Sequence, residues 1–118
     1  MVWNGAEKRR FPRANITCRI IIYFPYEHSI TSRTENIGCG GLRVMLKEDL
    51  RISSIVGVEI FLDGGRVIQC KGKVVWKLEV KSRSSKNGPL YDFGIEFLDI
   101  KDSDKEEINK LVYSLLQS

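Results

Sequence analysis

Apolar residues recur at every second position through most of the chain. Ile16, Cys18, Ile20, Ile22 and Phe24 fall on one face, with Thr17, Arg19 and Tyr23 opposite, which is the alternation of a half-buried strand. Pro25 ends it. Thr31 to Ile37 is a weaker strand that leads into Gly38-Cys39-Gly40-Gly41, and Leu42, Val44 and Leu46 then alternate with Arg43, Met45 and Lys47. Val56, Val58, Ile60 and Leu62 alternate up to Asp63-Gly64-Gly65, a hairpin signal because these residues tolerate positive φ. The return strand is long: Ile68, Cys70, Val74, Trp76 and Leu78 share one face, with Gln69, Lys71, Lys73 and Lys77 on the other. Gly72 on the apolar face predicts a bulge or bend there. Lys81 to Pro89 reads as a polar loop, and Tyr91, Phe93, Ile95 and Phe97 form the last alternating run.

The period then changes. Ser103-x-x-Glu106 has the form of a capping box, and Ile108, Leu111, Val112, Leu115 and Leu116 follow as one helical apolar stripe. Six strands in an antiparallel meander closed by one helix predict a mainly β fold, a six-stranded antiparallel β-barrel with a C-terminal α-helix. The expected organisation is one domain, without room for an attached output domain. It comprises a basic segment over 1–14, the barrel over 15–98 and the helix over 103–116.

Composition narrows the function. Apolar residues make up 42% of the chain and charged residues 29%, an ordinary globular balance. No apolar run is long enough to span a bilayer, and Met1-Val2-Trp3-Asn4-Gly5 lacks the form of a secretory signal, so a cytoplasmic protein is expected. Cys18, Cys39 and Cys70 are scattered and odd in number, and His28 is the only histidine. This pattern predicts no disulfide framework, no metal site and no histidine-based triad. The carboxylates are dispersed without an acid–base pairing, so the expectation is a binding protein and not an enzyme.

Charge placement points to an anionic partner. Lys8, Arg9, Arg10 and Arg13 stand against Glu7 alone, which leaves the rest of the chain nearly neutral, and Lys71 to Lys86 carries six cations against Glu79. Such patches suit a nucleotide, a nucleic acid or a lipid headgroup, or serve only as solvated faces. No row of aromatics is interleaved with the second stretch, so nucleic acid is not the expected partner.

Two segments carry candidate binding chemistry. Pro12 turns Phe11 away from helical geometry, so Arg9, Arg10 and Arg13 lie on an extended or turned segment able to wrap a ligand. Their planar forks match phosphate and the Hoogsteen edge of guanine. In Asn36-Ile37-Gly38-Cys39-Gly40-Gly41, the glycines supply close approach and positive φ, exposed N–H groups can hold an anion, and Asn36 offers both a donor and an acceptor. Trp76 reads first as core, beside Val74 and Leu78; stacking on a ligand base is the other reading.

Together these segments resemble the paired motifs of the PilZ domain family, R-x-x-x-R before the first strand and [D/N]-x-S-x-x-G at a later strand junction. Arg9 and Arg13 match the first within Glu7-Lys8-Arg9-Arg10-Phe11-Pro12-Arg13, and Asn36 and Gly41 match the ends of the second. Gly41-Leu42-Arg43-Val44, Lys73-Val74-Val75-Trp76 and Phe93-Gly94-Ile95-Glu96-Phe97 are also similar to the family. The resemblance implies a six-stranded barrel that binds bis-(3′-5′)-cyclic dimeric guanosine monophosphate (cyclic di-GMP), a bacterial second messenger, and relays the signal to an effector protein. It also implies that Arg9, Arg10 and Arg13 engage guanine edges and phosphates, that Asn36, Gly38 and Gly41 hold the other side of a guanine, and that Trp76 lies near the ligand face. Gly38 departs from the motif, which has serine there. Losing one hydroxyl bond weakens binding by up to about tenfold, and a PilZ-like interaction module without the ligand is the alternative.

Overall fold

A computed structural model describes residues 13–24, 28–80 and 88–116. Seven strands form, β1 Arg13–Ala14, β2 Arg19–Tyr23, β3 Ser29–Gly38, β4 Gly41–Leu46, β5 Ile55–Phe61, β6 Val67–Val80 and β7 Leu90–Phe97, followed by one helix, α1 Asp102–Leu116. All pairings are antiparallel, in the order β1-β3-β2-β5-β6-β7-β4, and β3 also pairs with β4. Strands β2 to β7 thus close a six-stranded barrel, and β1 is a two-residue addition on β3.

The expected single meander is corrected to two. β2-β3-β4 is one three-stranded meander and β5-β6-β7 another, joined at β2–β5 and β4–β7. Because β4 lies beside β7 while β5 lies beside β2, residues 47–54 must cross one end of the barrel. Leu50 is buried in this crossing, Ser53 takes a φ of 76°, and Ser53 and Ser54 exchange backbone hydrogen bonds with Val74.

The first expected strand, Ile16 to Phe24, begins only at Arg19, and Thr34 accounts for the kink that separates it from β1. Its buried hydroxyl donates to the Ile16 carbonyl (2.6 Å) and accepts from the Cys18 N–H (2.9 Å). The side chain thereby satisfies two backbone groups that a regular ladder would pair, and Ala14 and Arg19 can belong to separate strands flanking a kink. Thr34→Val keeps the shape and orphans both groups. It should lower stability by about 1–2 kcal/mol, read as a lower urea midpoint with an unchanged slope.

Local glycine chemistry also differs from expectation. Gly64 and Gly65 take positive φ in the β5–β6 hairpin, as their sequence predicts, whereas Gly38, Gly40 and Gly41 do not. Gly41 is needed for close approach: a Cβ there would lie 2.2 Å from the Ile95 carbonyl oxygen. The irregularity in β6 falls between Val74 and Trp76 and not at Gly72. Gly72 instead makes room for Ile95 and Val58, whose methyls a Cβ would meet at 2.5 and 3.0 Å. At the helix, Lys101 supplies the first carbonyl, accepting from Asp104 and Lys105, so the capping box at Ser103 is not formed. Asp102 and Asp104 provide first-turn charge that complements the dipole, and Asp104 also accepts from Arg66 at 2.9 Å.

The barrel interior is filled by Ile20, Ile22, Leu42, Val44, Ile60, Ile68, Val74, Phe93 and Ile95, all buried. Helix α1 adds Ile108 and Val112 to this core and packs against β1 and β3.

Candidate functional site

The two sequence segments meet through the backbone. Arg13 in β1 lies opposite Gly38 in β3, and Ala14 opposite Ile37. On its other edge Gly38 faces Gly41, so Arg13, Gly38 and Gly41 form one short ladder across three strands. The Thr34 kink holds this arrangement by fixing the chain that leaves β1. Arg9 and Arg10 lie outside the described residues, as does Lys81 to Lys86 of the second basic stretch.

A second alignment runs across the barrel wall one step inward. Asn36 is opposite Arg43, Arg43 opposite Gly94, and Gly94 opposite Trp76. Directly opposed residues share a face, and the neighbours of this rung, Ile37, Leu42, Ile95 and Val74, point into the core. The rung therefore belongs to the outer face. Two bulges put it there: Glu35 is the extra residue in β3 and Val75 the extra residue in β6, and each reverses the facing of the residues after it.

Trp76 is accordingly not a core residue. It is 38% exposed and Leu78 62%, because the Val75 bulge turns both outward although strict alternation places them with Val74. The indole is seated on Gly94, where a Cβ would come within 2.0 Å of the Trp76 Nε1. Gly94 thus acts as a floor that only a bare Cα provides, and it leaves an aromatic surface partly open to solvent.

Arg43 is held by Asp92 through three hydrogen bonds, Nε to Oδ1 at 2.9 Å and to Oδ2 at 3.0 Å, and Nη2 to Oδ2 at 2.7 Å. The Asp92 side chain is nearly buried and Arg43 is partly open. The hydrogen bond to Asp92 raises the guanidinium further above its already high range. Lys77, opposite Phe93, pairs with Asp49 at 2.7 Å and lies 5.9 Å from the Tyr91 ring centroid. Asn36 is buried, with no hydrogen-bond partner for its Oδ1 among the described residues. An orphaned amide oxygen is unfavourable by about 1–3 kcal/mol, and because this one is closed to solvent, an outside donor reaches it only when the groups covering it move.

The arrangement offers an aromatic face, a fixed guanidinium, a buried amide whose oxygen has no partner among the described residues, and the attachment point of an arginine-rich segment. These groups suit a planar, anionic ligand with hydrogen-bond donors. Burial pushes the Cys70 thiol up to about 12 and raises Cys18, so neither is poised as a thiolate nucleophile. Among the described residues, no group of three His, Cys, Asp or Glu side chains is placed to hold a metal. No helix among them is long and apolar enough to cross a membrane. Sequence reasoning singled out Asn36, Gly38, Gly41 and Trp76 but missed the Arg43–Asp92 pair and the Gly94 floor. Their available signals were two opposite charges at polar positions of separate strands, and a glycine inside an alternating run.

The family model for the PilZ domain matches residues 7–114. No curated protein matches the sequence. Among solved structures, the Bacillus subtilis inhibitor of motility (MotI/DgrA) superposes with a TM-score of 0.76 at 18% identity, over 93% of this chain and 51% of that one. The PilZ domain of YcgR from Escherichia coli, solved with c-di-GMP, gives 0.73 at 16% identity over 93% of this chain and 92% of that one. The MrkH–c-di-GMP complex of K. pneumonia gives 0.72 at 17%, over 92% and 52%. The chain spans about half the length of the inhibitor of motility and of MrkH. At these identities the likeness is one of fold.

Proposed function

The chain belongs to the PilZ domain family, and from that premise we propose that it is a non-catalytic receptor for cyclic di-GMP, acting in the cytoplasm. The observation that carries the proposal is the register that sets Arg13 against Gly38, since it draws the two motifs to one edge of the barrel. The arginine forks of Arg9, Arg10 and Arg13 pair with phosphate and with the O6 and N7 of guanine. The Asn36 amide, once uncovered, bonds a guanine edge, and the exposed indole of Trp76 receives a base by stacking. Bound ligand bridges the arginine segment and the wall formed by β3, β4, β7 and β6, and so alters the surface offered to an effector protein.

Calorimetric titration of the purified chain with cyclic di-GMP tests the proposal. A saturable exothermic isotherm is expected; the absence of heat at high micromolar ligand, with folded protein and an active control receptor, would reject it. The second reading, an interaction module that keeps the fold without the ligand, is favoured by Gly38, which lacks the motif hydroxyl. A parallel titration of Gly38→Ser separates the two. Restoring one hydrogen bond should tighten binding by up to about tenfold, whereas a ligand-free module stays silent in both forms.

A further inference from the structure

A second cationic feature lies on the outer face of β2 and β3. Arg19 and Arg33 stand directly opposite one another, and both are exposed. Like charges directly opposed across antiparallel strands are destabilising. No carboxylate among the described residues forms an ion pair with either arginine, whereas Arg43, Arg66 and Lys77 each have one. Glu59, one rung along, is drawn to Arg19 by charge but forms no ion pair with it, because its Oε2 accepts from Gln69 and its Oε1 from the Tyr23 hydroxyl, each at 2.7 Å. Asp63 lines the same surface but is not ion-paired with either arginine.

One of the two arginines is held in place before any partner arrives. The Arg19 guanidinium sits 4.3 Å from the Phe61 ring centroid, and Phe61 is its cross-strand neighbour in β5. Beside the pair opens a hollow of about 270 Å³ whose walls include Ile16, Leu62 and Leu111. Small-molecule sites run from about 300 to 1,000 Å³, so this hollow suits one or two side chains better than a cyclic dinucleotide.

We propose that Arg19 and Arg33 recognise an acidic segment of a partner protein. A carboxylate bridges the two guanidiniums and removes their repulsion, and an apolar side chain next to it enters the hollow. Guanidinium forks favour planar carboxylates, and although the hollow is lined mainly by polar surface, including Thr17 and Asp63, Ile16, Leu62 and Leu111 give a peptide side chain a contact that a bare ion lacks. The site is separate from the rung of Asn36, Arg43, Gly94 and Trp76, so its test does not depend on cyclic di-GMP.

The probe is the capped peptide Gly-Leu-Glu-Glu-Leu-Gly, titrated into the isotopically labelled full chain and followed by NMR. Saturable shifts are expected at the Arg19 and Arg33 side-chain Nε and at the Cys18 and Leu62 amides. The same peptide with glutamine for glutamate should bind about tenfold more weakly or worse. Arg33→Gln should lose peptide binding to the same extent and raise the melting temperature, because the opposed charge is gone. Arg33→Lys keeps the charge without the fork and should lose most of the binding without that rise. Cyclic di-GMP titration of each variant should match the wild type, so failure of the receptor reading is seen separately. Absence of saturable shifts at millimolar peptide, equal binding of the glutamine peptide, or identical shifts from inorganic phosphate at the same midpoint would each overturn the proposal.

Discussion

Replacing Arg9 and Arg13 together with alanine should weaken cyclic di-GMP binding by about 10²–10⁴-fold, since each charge-assisted contact is worth about 1.5–3 kcal/mol and every 1.4 kcal/mol is tenfold. The fold should be unaffected. Arg13 joins β3 through its backbone, which alanine retains, so the melting temperature should stay at the wild-type value. Calorimetry on the double variant beside the wild type reads both effects when thermal melts accompany it. Wild-type affinity in a folded double variant would remove the arginine motif from the site. The salt dependence of binding should also flatten in the variant, because two of the cations proposed to meet the phosphates are gone.

The largest expected effect on stability is at Gly41. Its missing side chain lets β4 approach β7 so closely that a Cβ would fall 2.2 Å from the Ile95 carbonyl oxygen. The obstacle is backbone and cannot rotate aside. Gly41→Ala must therefore push β4 and β7 apart at the seam, where Leu42 and Ile95 are paired and buried. A loss on the order of 2–3 kcal/mol is expected, a fall of about 10 °C in melting temperature for a domain of this size. Gly57→Ala is the internal control, because its nearest neighbour would be the Tyr23 Cβ at 3.3 Å, and a small shift suffices there. Equal melting temperatures for Gly41→Ala and the wild type would contradict the close-approach account.

These two substitutions also mark what the sequence discloses and what it withholds. Period-two alternation disclosed every barrel strand and the Asp63-Gly64-Gly65 hairpin, because burial of one face imposes that period directly on residue type. It could not disclose strand order, since the alternation of β4 is the same whether its neighbour is β5 or β7. It also failed wherever a strand changes phase. Lys73 and Lys77 flank the apolar run Val74-Val75-Trp76, through which strict alternation sets Trp76 with Val74, yet the extra residue at Val75 turns Trp76 outward, and an apolar run does not say which of its residues bulges. The break between Ala14 and Arg19 was equally hidden, because its cause is the hydroxyl of Thr34 on another strand. The first and second motifs were legible as residues. Their meeting at Arg13 and Gly38 is a fact of register and required the structure.

The division into two meanders has a kinetic consequence. Pairings inside β2-β3-β4 and inside β5-β6-β7 join neighbours along the chain, whereas β2–β5 and β4–β7 close long loops and are entropically slow to form. Asn36 and Arg43 come from the first meander, and Gly94 and Trp76 from the second. Each half can therefore reach its own local order while presenting only half of the rung. An intermediate holding both meanders but not the β4–β7 seam lacks the proposed binding face altogether, so if that face holds the ligand, cyclic di-GMP added during refolding should leave the folding rate unchanged and slow only unfolding.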